Sequence, residues 1–234
     1  LAVVGFDTAT GDVAVAATRD GEVLFETLLG PSQKGEPQHA TALLGEVERA
    51  AAAAGGWAAV ERIAVGLGPG SFTGVRVGVA TARGLGLSRG LPVAGACTLD
   101  ALGRGLAEAA GGRDRLAVAD ARRGEVFAAL YSRDGERLWG PLVSSPERLV
   151  ERLAGLPRAA LCGGSGAIRF HQQLASRGVE IPDDADPVHR VAARHVCTLA
   201  IVPDDGEPGP GVPIYLRAPD AERWRERGTV EKAE

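Results

Sequence analysis

Lysine is almost missing from this chain. Only Lys34 and Lys232 occur in 234 residues, so arginine carries nearly all the positive charge. That bias, with the abundance of Ala and Gly, follows from a GC-rich coding sequence and carries no functional weight. Aromatic residues are 4% of the chain, which leaves a core of mainly Ala, Val and Leu. Cysteine is scarce: Cys97, Cys162 and Cys197 lie far apart with no C-x-x-C, which excludes a disulfide framework and suits free thiols in a reducing cytoplasm. No apolar run approaches the ~20 residues of a membrane span. The opening stretch LAVVGFDTAT lacks the basic flank and length of a secretory signal, so a soluble cytoplasmic protein is expected. Positive excess is missing too: the formal net charge is −4, which disfavours a lone RNA binder steered by overall charge. What remains, 45% hydrophobic and 24% charged, is an ordered globular composition, long enough for one large core or two modest ones.

Residues 66–86, GLGPGSFTGVRVGVATARGLG, look at first like a phosphate-binding loop. Ser71 or Thr73 would cap a helix whose free N–H groups and dipole suit an anion. Yet there is no G-K-[ST], and neither Gly66/Gly68 nor Gly68/Gly70 completes G-x-G-x-x-G. A tight strand-to-helix turn that needs glycine is the better reading. In the helix that follows, Gly74, Gly78, Ala82 and Gly86 recur every four residues and form one ridge without side chains. Each glycine costs ~1 kcal/mol against alanine in a helix, so close approach of another backbone must compensate. The physics leaves open whether that neighbour belongs to the same chain, for instance the helix at 37–54 with Ala40, Ala51 and Ala54, or to another.

Residues 1–29 read as three short strands with turns at Ala9–Asp12 and Asp20–Gly21. A helix is expected at about 37–54, then a buried strand in RIAVGLG, a helix from Phe72 to about Arg89, a strand in LPVAGA and a helix in TLDALGRGLAEAA. The second half repeats the first. Asp7 precedes Gly11 by four residues, as Asp120 precedes Gly124, and Asp12–Val13 matches Glu125–Val126. The second turns, Asp20–Gly21–Glu22 and Asp134–Gly135–Glu136, also correspond. A helix at about 146–154, a strand in RAALC, a glycine-rich turn GGSG and a helix near 167–177 complete the second copy. The fold class is therefore α/β, a duplicated βββαβα unit.

That unit resembles the actin, Hsp70 and sugar-kinase superfamily, whose two lobes face each other across a nucleotide cleft. The resemblance implies an N-terminal lobe at 1–103, a C-terminal lobe at 104–217 and a charged tail at 218–234, solvated or frayed around Trp224. It also implies a vestigial phosphate cleft at Asp7, Thr8, Asp120, Gly163 and Gly164, with GGSGA at 163–167 as the adenosine-binding turn.

Four stretches, GPGSFTGVRVG, FDTAT, DARRGEVFAALY and PIYLR at 213–217, together resemble the bacterial TsaB (YeaZ) family over nearly the full chain. That resemblance implies a non-catalytic partner of TsaD, a paralogue carrying the transferase site that adds threonylcarbamoyl to the adenosine beside the tRNA anticodon. It further implies the small ATPase TsaE as a third component, contact with tRNA only through the complex, and a homodimer in the partners' absence. The interface would use the two small-residue helices through Leu43, Leu44, Val47, Phe72, Val75, Gly74, Gly78, Ala82 and Gly86. No cofactor is required by this chain, and weak ATP or ADP binding in the complex stays open. The missing ligands agree with that division of labour. The catalytic paralogue holds a metal through H-x-x-x-H, whereas His39, His171, His189 and His195 offer no such spacing.

Two alternatives accompany this reading. One is a small ATP-dependent phosphotransferase of the same fold. The other is a serine hydrolase with Ser165 as nucleophile, Asp183, Asp184 or Asp186 as the acid, and His189 or His195 as the base.

Overall fold

The sequence AVVGFD at the start has no polar alternation because both faces of its strand are covered. A computed structural model describes residues 1–32, 35–155, 160–200 and 212–216. Its first strand, β1 (Ala2–Asp7), runs antiparallel to β2 (Val13–Arg19), which pairs with β3 (Glu22–Leu29). Helix α1 (His39–Ala53) then leads to β4 (Arg62–Gly66), which is parallel to β1. Pro37 lies just ahead of α1, next to its N-cap Gln38. Helix α2 (Phe72–Arg89) leads to β5 (Val93–Ala96), and the sheet order is β3-β2-β1-β4-β5. Ser71 caps α2 by accepting from Gly74 N–H, and Gly90 ends it in the left-handed conformation at φ 66°.

Helix α3 (Thr98–Ala107) opens the second copy: β6 (Arg115–Arg122), β7 (Glu125–Tyr131), β8 (Arg137–Ser144), α4 (Pro146–Leu153) and β9 (Leu161–Gly163), in sheet order β8-β7-β6-β9. The fifth strand of this copy is reduced to a single parallel bridge between Leu161 and Glu180. The helix expected near 167–177 is two short ones, α5 (Ser165–Arg169) and α6 (His171–Ala175). Between them Phe170 leaves helical angles (φ −112°, ψ 30°), and its ring lies in the core. A 3-10 turn at Pro187–His189 precedes α7 (Ala193–Leu199).

The strands sort their side chains into three cores by the period of two. Val4, Phe6, Val13 and Val15 face α1 and α2. Val3, Ala14 and Ala16 face the other way, into a core shared with α3, α7 and Ala117, Ala119 and Ala129 of the second sheet. Leu116, Val118 and Leu130 point outward beneath α4 and α6. Helix α7 packs on β1 and β2, so the expected C-terminal unit 104–217 supplies a helix to the first sheet's inner face. Gly5 permits this approach: a Cβ there would stand 2.5 Å from Cys197 Sγ. The charged tail at 218–234, with Trp224, and Arg217 of PIYLR lie outside the described residues.

Candidate functional site

The two glycine- and threonine-bearing motifs of the first lobe turn out to touch each other. Asp7, at the end of β1, is 1% exposed. Its Oδ1 accepts from Ala9 N–H at 2.8 Å and its Oδ2 from the Thr98 hydroxyl at 2.6 Å. Thr98 Oγ1 in turn accepts from Gly68 N–H at 3.1 Å. The Thr8 hydroxyl donates to the Gly74 carbonyl at 2.7 Å, and Ser71 N–H donates to the Ala9 carbonyl at 2.6 Å. Thus FDTAT holds GPGSFTG in place through buried polar bonds. The glycines are there for that contact: a Cβ at Gly66 would overlap the Asp7 carboxylate, at Gly70 the Ala9 carbonyl and at Gly74 the Thr8 carbonyl. Gly68 also needs its positive φ of 87°.

Burial pushes the Asp7 carboxyl above the usual carboxylate range, against the pull of its bonds from Thr98 and Ala9 and of nearby His39. A carboxyl raised in this way binds its proton more tightly in the folded than in the unfolded chain. Stability contributed by Asp7 is therefore present at low pH and is lost as pH rises from the unfolded value of 3.8 through the folded one. Asp7→Asn keeps the shape without the charge. It is expected to melt higher than the native chain at pH 7 and to lose that advantage below about pH 4, as thermal melts across pH will read.

A cleft of about 680 Å³ opens between the lobes, walled by Ala9–Asp12, Gly70–Thr73, Ala119–Arg122, Ser165, His189–Arg190 and Ile214–Leu216. Of the expected phosphate-cleft residues only Asp120 lines it. Asp7 and Thr8 face inward, as described. Gly163 and Gly164 are sealed, because a Cβ on the first would meet Leu106 at 2.5 Å and one on the second would overlap the Val118 carbonyl. The two leading glycines of GGSG thus make a close-packed strand-to-helix turn, and of that motif only Ser165 reaches the cleft. Asp120 accepts from Arg169 at 2.8 Å and from Arg122 N–H at 2.8 Å. On the opposite wall Asp12 receives a two-pronged bond from Arg190, at 2.7 and 2.9 Å. Both cleft acids are therefore neutralised within the chain.

The hydrolase arrangement does not form. Ser165 Oγ accepts from Asp120 N–H at 3.1 Å. His189 lines the same cleft, but its Nδ1 accepts from Gly164 N–H at 3.2 Å and its Nε2 stands 3.1 Å from the Pro182 carbonyl, so neither nitrogen is left to take a hydroxyl proton. Asp186 caps Val188 N–H, and His195, whose Nε2 lies 3.3 Å from Glu108, is not among the residues that wall the cleft. Burial raises all three thiols, Cys97 and Cys197 to about 12, which leaves them protonated and unreactive at neutral pH.

The mouth of the cleft carries features that sequence reasoning missed. Tyr215 packs against Phe72 with ring centroids 5.3 Å apart and the planes tilted by 39°, Arg76 lies 3.7 Å over the Phe72 ring, and its Nε donates to Tyr215 Oη at 3.2 Å. The late motif PIYLR is thereby bound to the start of α2, and Ile214 N–H donates to the Leu67 carbonyl at 2.8 Å. Opposite, the β6–β7 hairpin turns in two residues, Arg123 and Gly124, with Arg122 paired to Glu125. Arg122 and Arg123 both have positive φ, 63° and 54°, at a cost of roughly 1–2 kcal/mol each for a side chain with a Cβ.

The expected interface needs correcting residue by residue. Gly74, Gly78, Ala82 and Gly86 face this chain's own turn and strands: a Cβ at Gly78 would stand 2.6 Å from Thr8 Oγ1, and one at Gly86 2.5 Å from Val93. Leu43, Val47 and Val75 are likewise core residues. Phe72 is half-buried, and of the nine only Leu44 is exposed, at 55%. The outward face of α2 is instead Thr73, Arg76, Ala80, Arg83, Gly84 and Leu87, the last 89% exposed. Leu87 sits out of phase with the ridge, which was the available sign.

Residues 33–178 match the family described as "TsaD: tRNA N6-adenosine threonylcarbamoyltransferase". Over 222 residues the chain is 36% identical to an uncharacterised protein of Mycobacterium tuberculosis, covering 94% of this chain and 93% of that one. Over 171 residues it is 34% identical to the Escherichia coli "tRNA threonylcarbamoyladenosine biosynthesis protein TsaB", covering 71% and 72%. A longer relative from Mycobacterium leprae, 40% identical over 163 residues, is spanned over 39% of its length. YeaZ from Pseudomonas aeruginosa superposes with a TM-score of 0.70 at 26% identity, over 86% of this chain and 90% of that one. Two relatives matched over 68% and 72% of their own length carry the TsaB name, and the fold is that of YeaZ. The chain belongs to the TsaB (YeaZ) family of tRNA threonylcarbamoyladenosine biosynthesis proteins.

Proposed function

We propose that this chain is the non-catalytic partner subunit of a complex that adds threonylcarbamoyl to the adenosine beside the tRNA anticodon, supporting a TsaD transferase with TsaE as third component. The observation that carries the non-catalytic reading is the engagement of the two repeat acids, Asp120 at the cleft and Asp7 in the buried turn. Asp120 is held by Arg169, and Asp7 is sealed beneath Gly66 and Thr98. Acids so engaged are poorly placed to serve phosphoryl transfer, which weighs against the phosphotransferase alternative. The partner reading is supported by the outward face of α1 and α2, where Leu44 and Leu87 stand exposed beside small residues that permit close helix approach. In the absence of partners the same face would pair two copies of this chain. No helix among the described residues is long and apolar enough to cross a membrane.

The test is reconstitution of threonylcarbamoylation with purified TsaD and TsaE, with and without this protein. Modification is expected only with it, while the isolated chain shows no ATP turnover. Full activity in its absence, or steady ATP hydrolysis by the chain alone, would overturn the proposal.

A further inference from the structure

We infer that residues 212–216 form a strap that completes one wall of the interlobe cleft and is fastened from outside by Arg76, so that a partner covering the outward face of α2 tightens it. The inference rests on the partner reading above for what covers that face, but the fastening is local to this chain. Ile214, Tyr215 and Leu216 line the cleft together with Phe72 at the start of α2. The strap belongs to no strand or helix, so no ladder holds it. Among the described residues its one main-chain bond runs from Ile214 N–H to the Leu67 carbonyl, at 2.8 Å. Half-buried Ile214 packs against residues of both cores that flank the first sheet, which anchors the middle of the strap.

The remaining hold is on the surface. Tyr215, 43% exposed, packs against half-buried Phe72, and its Oη accepts from Arg76 Nε at 3.2 Å. The same guanidinium lies 3.7 Å over the Phe72 ring. Arg76 is exposed and is not among the residues that wall the cleft; it shares the outward stripe of α2 with Ala80, Arg83 and Leu87. One side chain therefore serves both surfaces. The direction of the coupling follows from solvation, because a guanidinium on an aromatic ring is held roughly twice as strongly or more once water is excluded from the pair. A partner laid along α2 removes that water without entering the cleft, and so favours the fastened strap. An element held by few main-chain bonds and by exposed contacts opens locally at low free energy, so the change is read in its opening equilibrium. The opposite direction, in which a partner carboxylate draws Arg76 off the ring, loosens the strap and is distinguished by the same measurement.

Hydrogen exchange at the Ile214 amide of the full chain is the test. In the isolated chain Arg76→Met is expected to speed that exchange about tenfold, with the amides of β1 and β4 unchanged. Tyr215→Phe, which keeps the ring and removes the acceptor, is expected to speed it about threefold. Binding of TsaD is expected to slow the Ile214 amide of the native chain about fivefold. Phe72→Leu keeps apolar bulk without the ring, and is expected to bind TsaD but to lose this response. Equal exchange in the native and Arg76→Met chains would overturn the fastening; if Arg76→Met destabilises the whole molecule, Tyr215→Phe decides in its place. Faster exchange on assembly would overturn the tightening. So would slowing that persists in Phe72→Leu, which would mean that TsaD covers the strap directly. Sedimentation beforehand separates the two proposals. A chain that does not assemble defeats the partner reading and the tightening with it, and the fastening then stands or falls on the isolated-chain comparison.

Discussion

Gly74→Leu and Gly78→Leu are each expected to yield a chain without a cooperative thermal transition. At Gly74 the first carbon of any side chain overlaps the carbonyl of Thr8, and at Gly78 it stands 2.6 Å from the Thr8 hydroxyl. Overpacking a core costs typically ~1–3 kcal/mol when side chains can move aside, and more when they cannot. At Gly74 the obstacle is the backbone of the β1–β2 turn, and at Gly78 it is the Thr8 side chain, held in place by its hydrogen bond to the Gly74 carbonyl; the turn itself is pinned by Asp7 and Thr98. Relief requires that α2 leave β4, which gives up the core shared by Val65, Val75 and Val79. Against a total stability of roughly 5–15 kcal/mol, that loss is decisive. Gly84→Ala provides the control on the same helix. Nothing lies within 4 Å of its Cβ position, so the helix propensity gain of about 1 kcal/mol should appear as a higher melting temperature. Circular dichroism and thermal melts of the three variants check the contrast, and a folded Gly78→Leu chain would refute the packing described.

Leu87→Arg is expected to leave folding untouched and to abolish assembly, lowering threonylcarbamoylation in the reconstituted system by about a hundredfold or more. Leu87 is 89% exposed, so the folded chain alone loses little when it changes. In a proposed helix-to-helix interface the same position would be desolvated, and an unpaired guanidinium there costs roughly 3 kcal/mol or more. That converts to a hundredfold or greater loss of affinity. Leu44→Arg, the corresponding change on α1, should act in the same direction. Sedimentation velocity reads pairing, and the modification assay reads its consequence. A Leu87→Arg chain that pairs normally would remove the outward face of α2 from the interface.

Element by element, much of this molecule is written in short-range pattern. The turns at Ala9–Asp12 and Asp20–Gly21 and the helix from Phe72 to Arg89, capped by Ser71 and Gly90, are local signals, and the first three strands and that helix form where they place them. The duplication was legible because both copies repeat the same local code. Its incompleteness was not: the fifth strand of the second sheet shrinks to the Leu161–Glu180 bridge, and strand pairing is a long-range property. The cost of the glycine ridge was also visible, since Gly against Ala in a helix is an intrinsic quantity.

What compensates that cost was decided by tertiary structure alone. Ridge spacing says which residues share a helix face but not what lies opposite. The answer is a turn 66 residues away, where Thr8 bonds to Gly74. The same holds for the acids. Asp7 and Asp120 are equivalent in the repeat, yet one is sealed under Thr98 and the other meets Arg169 at the cleft, because burial and ionic pairing depend on neighbours distant in the chain. The aromatic pair of Phe72 with Tyr215 joins positions 143 residues apart, and the exposure of Leu87 depends on which face of α2 the sheet occupies. Local sequence determined the elements and their glycine punctuation. Three-dimensional packing determined which of those residues are core, which line the cleft and which remain exposed.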